Sequence, residues 1–563
     1  MKRLLHSGCW LLLLIPLILQ FVTVHSRGID PDEFEHLHAA FSVWNGLLPY
    51  RDFFEHHSPA LYYLLQPAFW IYGPELNVLW LGRAIMCVMS CATVAMTWRL
   101  ARHWKGEFVA WTGSLLLAWS SVFVLKGSEL RPDVPACLCL TWMTYLTVRA
   151  FDSPRFRDWL GIGLLGGVAT LFTQKSIVPV VALAVSVVVA RGMYCRPAAR
   201  DLPQTFPASE HRAGSWISLK HMLPFMGIGL GGSLIWGLLL LTFARYGALN
   251  DLLAGAVLQL VRMPIQSERW EHLRPTIAAD FTLWLAGGFL LVLAFREAIS
   301  RKGDARSIVV AGTLAGSLVS LTWVKAVYPQ YVLLWLPVLA IAAARCLEIV
   351  KSHTNSRVRY VILGLGIVVC VLECKLLFDG LRGTHPTALS HVRELWNSWQ
   401  IPAAAVVVLP VSLIVWCVCL SRSTTRSQWM ILPLAILGMS YAVARDANSW
   451  LWPNRTQVAL IERVNSLVSL DDTVLDGFAG YGALRPHASY FWWINRYSLA
   501  LMTEQDKTKL RETLQQHPPT VILYDHELQS WPPIEAPIKA AYQPTANPPI
   551  WIRQTKQNTD HVD

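Results

Sequence analysis

Ten acidic and histidine side chains fall between residues 30 and 57: Asp30, Asp32, Glu33, Glu35, His36 and His38, then Asp52, Glu55, His56 and His57. Carboxylates and imidazoles at this density can accept a proton, contact a phosphate or share a divalent cation. If Asp32 to Trp44 is helical, Asp32, Glu35 and His36 share one face at i, i+3 and i+4, while Leu37, Ala40 and Phe41 form an apolar face. A turn from Gly46 to Tyr50 then reverses the chain and returns Asp52 to His57 toward the first group. Phe34, Trp44, Phe53, Phe54, Tyr62 and Tyr63 are interleaved with the charged residues, so the segment reads as packed. Acids on packed apolar surface are costly unless they have partners or a task. A solvated loop is the plain alternative for any single residue; the cluster as a whole points to function.

The elements that must hold this cluster are membrane helices. The 563-residue chain is 54% hydrophobic and 15% charged, with a mean hydropathy of +0.38, where a soluble chain carries about a quarter charged residues. Apolar runs long enough to span hydrocarbon recur along the chain. They predict crossings near 9–25, 76–98, 107–125, 133–151, 159–174, 176–191, 221–244, 277–295, 307–324, 330–349, 359–378, 402–420 and 428–444. The fold class is thus an all-α polytopic bundle of about 13 spans, assigned to residues 1–444, with the first loop at 26–75. Alternate loops carry the basic residues, among them Arg99, Arg102, Arg155, Arg157, Arg301 and Arg306, which puts the N-terminus in the cytoplasm. Met1 to Val24 has the outline of a signal peptide, but the run is long enough to span and is read as a retained first helix. The net charge of +11 sits in short loops rather than on one polar face, which excludes a nucleic-acid footprint. No cysteine or histidine spacing of zinc type occurs.

Residues 445–563 have a different rhythm. Gln457 to Val468 and Glu504 to Gln516 read as helices, Asp472 to Asp476 and Thr520 to Tyr524 as strands. This predicts a small α/β domain, which the alternation of charge places outside the cytoplasm.

The run Asp32-Glu33-Phe34-Glu35-His36-Leu37, followed by Gly46 and by Pro49-Tyr50-Arg51-Asp52-Phe53-Phe54-Glu55-His56-His57-Ser58-Pro59, resembles the first-loop signature of membrane glycosyltransferases of the GT-C class. It is most similar to the branch that includes protein mannosyltransferases, the aminoarabinose transferase acting on lipid A, and Rgt-type bacterial enzymes. The resemblance implies a polyprenyl-phosphate sugar donor, a cell-envelope glycan, lipid or protein acceptor, inner-membrane location, and transfer with inversion. It implies Asp32 as the catalytic base, with Glu33 beside it, Asp30 as a competitor, and Asp133, in Glu129-Leu130-Arg131-Pro132-Asp133, as the second acidic position. Where relatives carry a basic residue before paired prolines, this chain has His57-Ser58-Pro59. Lys175 matches a recurring lysine, and Tyr328-Pro329-Gln330-Tyr331 resembles the segment that links two spans.

Such a reaction needs a carboxylate to take the acceptor's proton, for which Asp32 is the choice. It also needs cations on the phosphate leaving group, with Lys175, Arg131, Lys325 and Arg269 as candidates. Glu35, His36, Asp52, Glu55, His56, His57, Tyr328 and Tyr331 complete the expected substrate-binding set. A divalent metal ion is an open alternative: Asp32, His36 and His57 are its foremost ligands, with Glu35, Asp52 and His56 in support. Histidines contacting the phosphate directly are the metal-free alternative. The rival function is a transporter or lipid flippase, for which Arg83, Glu373 and Lys375 would be the charged residues within or near spans.

Overall fold

The computed structural model describes residues 2–194, 219–258, 273, 276–277, 280–299, 304–322, 327–352 and 454–554. The predicted spans at 359–378, 402–420 and 428–444, and the candidates Lys325, Arg269, Glu373 and Lys375, lie outside them.

Helix α1 (Lys2–Val22) enters the first loop, whose elements are α2 (Pro31–Trp44), α3 (Ala60–Leu64) and α4 (Gln66–Tyr72). The bundle continues with α5 (Asn77–Lys105), α6 (Glu107–Trp119), α7 (Ser121–Lys126), α8 (Asp133–Asp152), α9 (Phe156–Phe172), α10 (Ile177–Tyr194), α11 (Leu219–Arg245) and the short α12 (Leu249–Leu253). Then come α13 (Phe281–Ile299), α14 (Ala305–Ser320), α15 (Pro329–Leu333) and α16 (Leu336–Ser352). Among the described residues, four helices are long and apolar enough to cross a membrane, and three shorter apolar ones accompany them. Leu11, Val185, Leu238 and Leu241 are more than half exposed along α1, α10 and α11. That pattern suits lipid rather than water.

Two predicted spans are broken. The run 107–125 divides at Ser120, whose backbone is extended. Buried Asp280 accepts from the Ser120 hydroxyl at 2.7 Å and from the Ser121 amide at 2.9 Å, so a carboxylate caps the start of α7. The run 330–349 divides between α15 and α16, where Pro337 has no N–H to continue the ladder. The Leu61–Tyr72 segment is likewise two helices, because Pro67 lacks the N–H that would bond back to Tyr63. Trp70 and Ile71 stay exposed on α4, as amphipathic and aromatic groups do at a membrane boundary.

Helices α9 and α11 pack closely along their length, and glycines permit it. A Cβ at Gly163 would meet the backbone of Ile228, and one at Gly231 the backbone of Leu160 and Leu164; small residues let helix backbones approach closely in lipid. At the bundle end opposite the first loop, Lys105 pairs with Asp304 at 2.9 Å and Arg306 with Asp152 at 3.1 Å, tying α5, α8 and α14 together.

After α17 (Arg455–Leu467) the chain forms β1 (Val474–Asp476), α18 (Arg496–Leu501), α19 (Glu504–Gln516), β2 (Val521–Leu523), α20 (His526–Gln529), α21 (Pro532–Ala541), β3 (Tyr542–Pro544) and β4 (Ile550–Arg553). The sheet order is β1-β2-β4-β3, with β1 and β2 parallel and the other pairs antiparallel. The expected helices and first two strands are present; the antiparallel pair β3–β4 was not foreseen. This unit docks on the first loop. Gln457 bonds both backbone groups of Ile29, at 2.8 and 3.0 Å, and the Phe54 amide donates to the Tyr490 carbonyl at 2.7 Å. Gly480, with φ +78°, lies so close to Phe34 that a Cβ there would come within 2.3 Å of its side chain.

Candidate active site

Local chemistry starts α2. The Asp30 carboxylate accepts from the Asp32 amide at 3.1 Å, Glu33 reaches back to the Asp30 amide at 3.0 Å, and Pro31 opens the helix. The predicted helix is therefore present, with Asp32, Glu35 and His36 directed at a shared group of partners.

Asp32 pairs with Arg131. Its carboxylate is 37% exposed while the arginine side chain is 2% exposed. Arg131 also lies 3.2 Å from Asp30, 3.1 Å from Glu129 and 3.8 Å from Asp133. Lys126 bridges Asp30 at 3.2 Å and Glu129 at 2.9 Å, and Arg27 completes Glu129 at 2.8 Å. Burial works against ionising Asp32, but the Arg131 charge, with His57 and Lys175, holds its carboxyl below the usual range. Burial is opposed in the same way at Asp30, chiefly by Lys126 and Arg131.

Asp133 stands at the start of α8, buried, with Oδ1 making no hydrogen bond. Lys175, in the turn after α9, is 3.7 Å from it and sits 4.1 Å over the Tyr331 ring. Tyr328 meets Tyr331 edge-on at 5.9 Å. Asp32, Arg131, Asp133, Lys175 and Tyr331 are thus consecutive neighbours.

A second group adjoins the first. His56 Nδ1 lies 3.3 Å from Glu35, and His57 Nδ1 lies 3.6 Å from Glu35 and 3.1 Å from Glu55. Glu55 is held by the amides of His56 at 2.7 Å and His57 at 2.8 Å. The loop is shaped by Tyr50, whose positive φ of 69° is held by its hydroxyl bond to the His57 carbonyl at 2.5 Å and by Tyr490 bonding its own carbonyl at 2.7 Å. Burial opposes a proton on His57, but Glu35 and Glu55 outweigh it and carry the pKa up to about 10. His36, whose ring is 4.9 Å from His57, is held well below the usual range by burial and by the His57 charge.

Ligand atoms of Glu35, Glu55, His56 and His57 all lie within 4.8 Å of one another. Two carboxylates and two imidazoles with converging ligand atoms fit a divalent ion with mixed O and N ligands. Of the foremost predicted ligands only His57 belongs to this group. Asp32 is engaged by Arg131, and His36 abuts it as a neutral ring.

Two expected residues lie apart. Glu33 is fully buried and forms a two-point pair with Arg83 at 2.6 and 2.8 Å, while the Leu130 amide donates to it at 2.8 Å. Asp52 caps the Leu48 amide at 2.7 Å and pairs with its neighbour Arg51 at 2.8 Å, so it shapes the turn. Sequence reasoning missed Lys126, Glu129 and Arg27 as parts of the network. The charge-dense run Lys126-Gly-Ser-Glu-Leu-Arg-Pro-Asp133, closing an apolar stretch, was the available signal.

Helix bundle, loop helices and C-terminal unit together define the GT-C fold. ArnT from Cupriavidus metallidurans bound to undecaprenyl phosphate matches with a TM-score of 0.66 at 13% identity, over 98% of both chains. Its apo state gives 0.65 at 14% identity, over 95% of this chain and 96% of that one. An archaeal oligosaccharyltransferase, AglB from Archaeoglobus fulgidus in complex with an inhibitory peptide and a dolichol-phosphate, has a TM-score of 0.47 at 11% identity, over 92% of this chain and 69% of that one. Residues 56–202 match the family model of the dolichyl-phosphate-mannose-protein mannosyltransferases. Comparison with curated proteins finds no match.

Proposed function

We propose that this chain is a multi-pass membrane glycosyltransferase that moves a sugar from a polyprenyl-phosphate donor to a cell-envelope glycan, lipid or protein acceptor on the periplasmic side. One observation carries this reading: on a GT-C fold, the most open carboxylate of the acidic cluster, Asp32, sits beside a buried arginine and within electrostatic reach of Lys175 and a protonated His57. The donor class is supported by the fold shared with ArnT, solved with undecaprenyl phosphate.

An acceptor hydroxyl attacks the anomeric carbon, its proton passes to Asp32, and the bond from that carbon to the phosphate oxygen breaks with inversion. Arg131 holds Asp32 ionised and aimed, ready to receive that proton. Lys175 and His57 meet the charge that grows on the departing phosphate, where a fixed cation stabilises the transition state more than the ground state. A divalent ion held by Glu35, Glu55, His56 and His57 would replace the His57 proton and supply positive charge on the same side. Glu33 is assigned to structure rather than catalysis, since Arg83 and the Leu130 amide occupy it. The transport reading loses Arg83 for the same reason.

The test is donor consumption by purified wild type and Asp32→Asn with undecaprenyl-phosphate sugars. Loss of turnover with donor binding retained supports the assignment. Full turnover by the variant moves the base to Asp30 or Asp133, and no transfer by the wild type with any donor returns the transporter to first place.

A further inference from the structure

The C-terminal unit reaches the site with one side chain that the scheme above does not use. Tyr497 lies on α18, whose entry is fixed by a reciprocal cap: Asn495 accepts from the Ser498 amide at 2.8 Å, and the Asn495 amide donates to the Ser498 hydroxyl at 3.0 Å. Strand β1 anchors the approach, since the Ile494 amide donates to the Asp476 carbonyl at 2.9 Å. Tyr497 thereby stands with its ring 5.7 Å from that of His56. Its hydroxyl is buried and makes no hydrogen bond. Glu35, Glu55, Tyr328 and Tyr331 are close enough to act on it electrostatically.

A hydroxyl taken out of water without a partner is costly, so a site that keeps one has a use for it. The phenol offers both a donor and an acceptor. Carboxylates and aromatic rings around a neutral hydroxyl suit a polyhydroxyl ligand with hydrogen-bonding edges and apolar C–H faces. The placement matches the donor: Lys175, assigned to the phosphate, touches Tyr331 at 4.1 Å, and Tyr331 is among the neighbours of Tyr497. A sugar is one covalent link from that phosphate.

The geometry points to Tyr497 as a specificity-determining residue that hydrogen-bonds a hydroxyl of the transferred sugar, so that the C-terminal unit completes the donor site; this rests on the glycosyltransferase reading. The experiment compares wild type, Tyr497→Phe and Tyr497→Ala in two assays. One measures binding of undecaprenyl phosphate without sugar. The other measures transfer from the preferred undecaprenyl-phosphate sugar and from analogues each lacking one hydroxyl. Tyr497→Phe is expected to bind undecaprenyl phosphate like wild type and to lose about 10- to 100-fold in kcat/KM on the intact donor. On the one analogue that lacks the contacted hydroxyl it is expected to match wild type. Equal losses on every analogue, or no loss on any donor, overturn the proposal. Failure of the wild type to bind undecaprenyl phosphate or transfer any sugar instead overturns the reading beneath it.

Discussion

Arg131 is sealed from solvent while its partner Asp32 keeps 37% of its side chain open. One end of this ion pair is therefore fixed by four acids, Asp30, Asp32, Glu129 and Asp133, and the other end is open to solvent. The two residues should fail in different ways. Asp32→Asn keeps size and an acceptor oxygen, so kcat is expected to fall by about 10²- to 10⁴-fold, the range for losing a general base, with an unchanged melting midpoint. Arg131→Met leaves four carboxylates around an uncharged side chain and should cost about 3–5 kcal/mol of stability. Thermal melting of the detergent-solubilised proteins beside donor consumption separates the two; a stable, inactive Arg131→Met would make the arginine catalytic rather than structural.

Glu33 tests the same division. It is buried against Arg83 at 2.6 Å, so Glu33→Ala leaves an uncompensated buried guanidinium and should destabilise the protein by about 3–5 kcal/mol. Glu33→Gln keeps an acceptor for the Leu130 amide and is expected to retain most of its turnover per folded molecule. A Glu33→Gln protein that melts like wild type yet loses turnover as far as Asp32→Asn would return Glu33 to the catalytic group.

Much of this arrangement was legible because it depends on short-range periodicity. The i, i+3, i+4 spacing on α2 does place Asp32, Glu35 and His36 toward one set of partners, and the GT-C signature led to Asp133, Lys175 and Tyr331. What escaped depends on pairing across long separations. Glu33 and Asp32 are adjacent carboxylates in sequence; only the approach of Arg83 to one and Arg131 to the other gives them different roles. Asp280 gave no sign that it would cap a helix starting at Ser121. Tyr497 could not be singled out from its aromatic neighbours, because docking of the C-terminal unit on the first loop decides which ring enters the site.

That docking surface should respond to acid. His38 donates its Nδ1–H to the Ala483 carbonyl at 3.1 Å, stacks on Trp492 at 4.5 Å and lies 4.2 Å from the His487 ring. Burial lowers the His38 pKa to about 4 and, with His38 beside it, holds His487 well below the usual histidine range. Both rings are neutral in the fold, so their contribution is fully present above the unfolded value of about 6.5 and is lost as pH falls through about 4. Thermal melts between pH 7.5 and 4.5 should show the midpoint falling below about pH 6.5. His38→Gln, which cannot take the charge, should fall less steeply. An equal slope in the variant would mean that other groups govern the acid response.

The cluster of Glu35, Glu55, His56 and His57 makes the last prediction. Two carboxylates held this close need positive charge between them, which a proton on His57 or a divalent cation can supply, and the two should compete. Titrating Zn²⁺ or Mn²⁺ into metal-free protein at neutral pH is expected to raise the melting midpoint, by the equivalent of about 2.7 kcal/mol at a hundredfold excess over the dissociation constant. Glu55→Gln and His57→Gln should abolish the shift, and elemental analysis should find one ion per wild-type chain and none in the variants. Asp52→Asn, which alters a carboxylate of the same loop that caps Leu48 instead, should keep the full shift. If no metal raises the wild-type midpoint, the cluster acts through its histidines alone, and His57 is left as the cation that meets the phosphate.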